Sequence, residues 1–162
     1  MIKKADRSAF LPVCRKDMEA RGWDELDLLV ITGDAYVDHP SFGHAIIARW
    51  LDAHGFRVGV VSQPDWRATE DFEKMGRPRL GVMLAAGNLD SMLNHYTASG
   101  KKRRRDDYTP GGVSGRRPDR ATVVYSNRVR QLWGDIPLVI GGIEASLRRF
   151  AHYDYWSDSV RR

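Results

Sequence analysis

The chain has 162 residues, with 26 Lys and Arg against 21 Asp and Glu, for a formal net charge of +5. At 42% hydrophobic and 29% charged residues it reads as globular, which excludes disordered and collagen-like classes, and its length suits one domain with a sizeable core. The excess charge is local: residues 101–120 carry Lys101, Lys102, Arg103, Arg104, Arg105, Arg116, Arg117 and Arg120 against Asp106, Asp107 and Asp119, and the rest of the chain is balanced.

Residues 1–25 are mixed and polar, with Pro12 and Gly22 as breakers and one helical turn expected over 17–21, and read as an N-terminal extension lying on a domain of residues 26–162. Leu26 to Thr32 is a short apolar run that Gly33 ends. Continuous apolarity with β-branched residues predicts a strand covered on both faces. A polar loop from Gly33 to Pro40 leads into a helix over 41–54, with Pro40 just inside its start. There Phe42, Ile46 and Trp50 recur every four residues beside Ile47 and Leu51, and Gly55 supplies a left-handed cap. His44 and His54 are expected on its exposed or half-buried side. The unit then repeats: a strand over 57–62, a short helix over 66–75 ending at Gly76, a strand over 80–85, and a helix over 91–96 that Asp90 can cap. After the basic loop, Asp119 or Ala121 to Trp133 is helical, with Ala121, Tyr125, Val129 and Leu132 on one face and Gly134 following. A fourth strand is predicted over 136–140 and a last helix over 144–150. This alternation is the pattern of an α/β, Rossmann-like parallel sheet with helices on both faces.

In such sheets ligands bind outside the carboxyl ends of the strands. Those ends are Thr32-Gly33-Asp34, Ser62-Gln63-Pro64-Asp65, Ala86-Gly87-Asn88 and Gly141-Gly142-Ile143-Glu144. The candidate ligand-binding residues are therefore Asp34, Asp38, His39, Asn88, Gly141, Gly142 and Glu144; turn formation alone is the competing explanation for each glycine and Asx residue. No Gly-x-Gly-x-x-Gly follows the first strand, and Gly-x-x-x-x-Gly-Lys-Ser/Thr and Gly-x-Ser-x-Gly are absent, which removes the dinucleotide fingerprint, the P-loop and the nucleophile elbow. The five histidines stand singly and none has zinc-ligand spacing. Cys14 is the only cysteine, so an internal disulfide is excluded and a Cys-rich metal site has no ligands. No apolar run approaches the ~20 residues that span a bilayer, and no secretory signal opens the chain. The expectation is a cytoplasmic protein with no metal site of its own.

The basic loop 101–120 admits two readings. One is a nucleic-acid-binding module, or a contact for a phosphate-bearing ligand; the other, favoured because Tyr96 and Tyr108 are the only nearby stacking residues, is a solvated loop. The tail holds Phe150, Tyr153, Tyr155 and Trp156 within seven residues. So aromatic a segment calls for a neighbour to bury it.

Several blocks match something specific. Thr32-Gly33-Asp34-Ala35-Tyr36-Val37-Asp38-His39-Pro40-Ser41-Phe42-Gly43 resembles the N-terminal region of YgiQ-type radical SAM proteins, as do Gln63-Pro64-Asp65-Trp66, Ala86-Gly87-Asn88-Leu89-Asp90-Ser91-Met92 and Arg117-Pro118-Asp119-Arg120-Ala121-Thr122. The longest block is Gly141-Gly142-Ile143-Glu144-Ala145-Ser146-Leu147-Arg148-Arg149, continuing through Ala151-His152-Tyr153-Asp154-Tyr155-Trp156-Ser157-Asp158. The resemblance implies a domain similar to the cobalamin-binding-like domains that precede many radical SAM barrels. It also implies that a barrel follows in the same polypeptide, where a Cys-x3-Cys-x2-Cys motif binds a four-iron–four-sulfur cluster and S-adenosylmethionine. With Cys14 alone, this chain is not catalytic by itself; on this reading it covers or feeds the barrel's active site. The Asp-x-His-x-x-Gly motif of cobalamin binders is not matched, since Asp38 and His39 are adjacent and Gly43 lies four beyond the histidine. Cobalamin ligated by His39 is therefore not expected.

Overall fold

The computed structural model describes residues 10–150, 152–154 and 157–161. Helix α1 (Arg15–Ala20) precedes strand β1 (Leu28–Thr32), and α2 (Gly43–Ala53) leads to β2 (Val58–Ser62). One turn of helix, α3 (Glu70–Glu73), precedes β3 (Gly81–Ala85). Then come α4 (Ser91–His95), a 3-10 turn at Pro110–Gly112, α5 (Ala121–Trp133), β4 (Leu138–Gly141) and α6 (Gly142–Arg149). Two short strands, β5 (His152–Asp154) and β6 (Ser159–Arg161), pair antiparallel.

The four main strands form one parallel sheet in the order β2-β1-β3-β4, and the α/β expectation is met. Alternation along β1 sends Leu29 and Ile31 to one face and Val30 to the other. The first face joins Val61, Val82 and Leu84 in a core with Phe72 of α3 and Tyr125 and Val129 of α5. Each such large side chain contributes about 1.5–3 kcal/mol by leaving water. On the opposite face Val30, Val58 and Val60 pack with Ala48 of α2 and with Leu11, which precedes α1.

Three local expectations are corrected. Helix α2 starts at Gly43, not at 41, because the His39 imidazole takes the Ser41 N–H and the His39 carbonyl takes that of Phe42, making a turn that leaves Pro40 outside the helix. Helix α3 is one turn rather than ten residues, since the carbonyls of Trp66 and Arg67 accept from the Arg128 guanidinium instead of from helical N–H groups. Most consequentially, α2 faces the other way. His44, Ala45, Ala48 and Asp52 are turned to the protein, while Ile46, Ile47 and Trp50 are exposed. His44 is buried, not on the outer side.

Helices lie on both faces of the sheet, but unevenly. Helix α2 packs mainly on β1 and β2, and part of the β3–β4 half beside it is left open: Val139 is 57% exposed. Strand β4 is also an edge, paired with β3 alone among the described residues.

Candidate functional site

The ends of β1 and β3 approach each other so closely that side chains would not fit. A Cβ on Gly33 would overlap the Ala86 carbonyl, and one on Gly87, whose φ is +126°, would overlap the Asp34 carboxylate. The space so created is filled from the basic loop. The Arg117 guanidinium enters it, donating from Nη1 to Asp34 Oδ1 at 2.8 Å and to the Ala86 carbonyl at 3.1 Å. From Nε and Nη2 it donates to the two oxygens of Asp106, at 3.0 and 3.1 Å. All three side chains are closed off from solvent. Burial raises the pKa of Asp34; Arg117 opposes that shift, and the Asp106 charge adds to it.

Loop 101–120 is therefore not simply solvated. Asp106, Thr109 and Arg117 are buried, Arg103 donates to the carbonyls of Leu93 and Tyr96, and Arg105 pairs with Asp107. The solvated reading holds for Lys101, Lys102, Arg104 and Arg116, which are exposed. Arg117, the enclosed guanidinium of the loop, already faces two carboxylates, so it offers nothing to a phosphate-bearing ligand.

The other candidates divide into groups. Asn88 is joined to Asp34, donating its backbone N–H to Oδ2 at 2.7 Å, and its side-chain amide donates to the Ser41 carbonyl. His39 meets Ser41 through Nδ1, so His39, Asn88 and Asp34 lie along one polar chain. Asp38 does not join it; both its oxygens accept from Arg49 of α2. Glu144 is buried at the start of α6, where Oε2 accepts the Ser91 N–H at 2.8 Å and Oε1 accepts the Thr122 N–H at 2.9 Å. One carboxylate thus satisfies open N–H groups at the first turns of both α4 and α5. Burial alone would raise its pKa, but the hydrogen bonds from Ser91 and Thr122 outweigh that and hold it below the usual range. Gly141 and Gly142 form the passage from β4 to α6, and the +86° φ of Gly142 is a conformation that disfavours any side chain.

Two cavities flank this centre. One, of about 350 Å³, lies on the half-bare sheet face between α2 and α6; Asn88, Gly141 and Gly142 line it with His44, Ile47, Met83, Val139 and Ile143. His44 Nδ1 meets Thr32 Oγ1 at 3.4 Å, its Nε2 has no partner, and burial lowers its pKa to about 4, so the ring is neutral. The second cavity, about 500 Å³ and more polar, lies between the Trp66–Arg67 turn and the basic loop. In it Asp119 accepts from Tyr96 Oη at 2.8 Å and meets His95 Nδ1 at 2.5 Å. Sequence reasoning missed Arg117, Asp106 and His44 as structural participants. The signal available for the first two was the presence of acids inside a basic run, which marks charges that can be neutralised locally.

Among the described residues no group of three or more His, Cys, Asp or Glu side chains is placed to hold a metal. A cluster that needs three thiolates has no fit here, since the chain has one cysteine. No helix among the described residues is long and apolar enough to cross a membrane.

Residues 10–162 match the family described as "Radical SAM N-terminal". The chain belongs to the radical SAM N-terminal family. A "UPF0313 protein" of Thermotoga maritima is 60% identical over 153 residues, which are 94% of this chain and 27% of the relative. Similar proteins of the same description occur in Clostridium perfringens, at 58% identity and 23% of the relative's length, and in Pseudomonas aeruginosa, at 60% and 20%. The chain thus spans between 20% and 27% of the length of these relatives. The resemblance to YgiQ-type radical SAM proteins, drawn from the blocks at the strand ends, is borne out. No solved structure matches the chain.

Proposed function

We propose that this radical SAM N-terminal domain is the front portion of a cytoplasmic radical SAM iron–sulfur enzyme, and that it packs against a (β/α) barrel following in the same polypeptide, whose active site it covers. The family match over residues 10–162, in relatives about four times as long, carries this reading. The cluster and S-adenosylmethionine belong to the barrel, because three thiolates are required and this domain offers only Cys14. The domain's own contribution is a rigid wall. The Arg117–Asp34–Asp106 knot and the Glu144 link fix the loops at the strand ends before any substrate arrives. Such fixing reduces the ordering cost of forming a closed site.

The test is to produce the whole gene product anaerobically, reconstitute it with iron and sulfide, and record the electron paramagnetic resonance of the reduced protein. A four-iron–four-sulfur signal and reductive cleavage of S-adenosylmethionine to 5′-deoxyadenosine are expected. Both should vanish when the three cysteines of the Cys-x3-Cys-x2-Cys motif are changed to Ala. A gene product that lacks the motif, or binds no cluster, overturns the proposal.

A further inference from the structure

The largest apolar side chains of α2 point away from the sheet that the helix packs on. Its inner face is built mostly from small or polar groups, Ala45, Ala48 and Asp52, with Leu51 partly buried beside them, which lets the helix lie close to β1 and β2. Ile47 and Trp50, one turn apart, stand outside at 45% and 59% exposure. Across the groove α6 repeats the arrangement: Glu144 is buried inward while Ile143 and Leu147, again one turn apart, are exposed. Between the two helices the sheet itself shows Val139, on the edge strand β4. Apolar groups on three elements therefore surround one groove of about 350 Å³. Exposed apolar surface gathered in a groove with polar groups at its edge marks an interaction site.

We propose that this groove, rather than the polar strand-end loops, is the seat of the polypeptide that follows the domain in the longer chains of its family. The inference rests on the proposed function and adds to it the surface used. Two observations select this occupant. The relatives devote roughly three quarters of their length to further chain, and α6, the last helix of the domain, itself forms one wall of the groove. A small molecule would fill the cavity but leave Trp50 and Leu147 on its shoulders in water. The second cavity, with Arg67, Lys102 and Asp119 at its mouth, has the wrong chemistry for a dry contact.

The experiment places the photo-crosslinking residue p-benzoylphenylalanine at Ile47, at Leu147 or at Arg67, one position per variant, in the whole gene product. Ile47 lines the groove, Leu147 lies one turn beyond Ile143 on its opposite wall, and both are about half exposed, so the domain's own packing tolerates the replacement. Intramolecular crosslinks from positions 47 and 147 to peptides beyond residue 162 are expected, with position 67 giving none. Crosslinks from position 67 alone overturn the groove while leaving the proposed function standing. Crosslinks from 47 and 147 to a second copy, identified with isotope-mixed protein, assign the groove to a dimer and overturn the proposal, as does the absence of crosslinks from both groove positions. Failure of the cluster and cleavage assays is a separate result, and it removes the proposed function itself.

Discussion

Arg117 and Asp34 are 83 residues apart in the chain and meet at 2.8 Å in the closed interior of the domain, where Asp106 occupies the far side of the same guanidinium. Two buried carboxylates share one cation. Removing that cation leaves them uncompensated, so Arg117→Ala should cost about 3–5 kcal/mol in chemical denaturation. Arg117→Lys should also destabilise, because an ammonium cannot reproduce the fork that spans Asp34, Asp106 and the Ala86 carbonyl. The triple change Arg117→Met, Asp34→Asn, Asp106→Asn removes all three charges and should recover part of the loss. A triple variant no more stable than Arg117→Ala would show that the hydrogen-bond geometry, not the charge balance, dominates.

Glu144 gives a second prediction, on how helices are started. Its carboxylate accepts N–H groups from both α4 and α5, so Glu144→Gln keeps the shape but loses charge-assisted bonds, at a cost of about 1–3 kcal/mol. Because its pKa is lowered in the folded state, its contribution is present above the unfolded value of about 4.5 and is lost as pH falls through the folded value. Urea titrations stepped down from pH 7 into the acid range should therefore show Glu144→Gln and the parent converging only below pH 4.5, as the pH passes through the lowered folded value. Equal separation throughout would remove the charge from the account.

Much of this fold was legible from short-range pattern. The continuous run ending at Thr32 and the caps at Gly55 and Gly134 mark elements by rules that act over a few residues. The orientation of α2 was not legible, because the helix carries two apolar faces. Phe42, Ile46 and Trp50 recur every four residues and Ala45, Ala48 and Leu51 every three; both spacings are helical, and periodicity cannot say which face meets the sheet. Close packing decided for the alanines. At the candidate site, Asp34, His39 and Asn88 do come together, since each ends a strand or opens the loop beside one. Arg117 was counted only as loop charge, because a contact across 83 residues leaves no trace in spacing. The aromatic tail contributes less: Tyr155 and Trp156, with residues 1–9 of the N-terminal extension, lie outside the described residues.

His44 sets the pH dependence in a different window. Burial holds its folded pKa near 4, against 6.5 for a free imidazole. The unfolded chain thus binds a proton that the folded domain refuses. Stability is accordingly highest above pH 6.5 and falls as pH drops from 6.5 towards 4, by about 3 kcal/mol across the window for this group. Replacing His44 by Gln, which cannot titrate, should flatten the denaturation midpoint between pH 6.5 and 5. A slope unchanged in His44→Gln would assign the dependence to other groups.

Gly87 tests whether the strand ends are as tightly built as the Arg117 knot implies. Its φ of +126° lies where side chains are rarely found, and a Cβ there would overlap Asp34 and press on Arg117 Nη1 at 2.9 Å. Gly87→Ala should therefore strain the backbone and split the Arg117–Asp34 pair at once, costing more than the roughly 1 kcal/mol of an ordinary Gly→Ala change at a strained position. Coupling is the sharper readout. In an Arg117→Ala background the pair is already lost, so adding Gly87→Ala should cost measurably less than it does in the parent. Strictly additive losses in the denaturation cycle would mean that Gly87 is required only by its own backbone and not by the ion knot beside it.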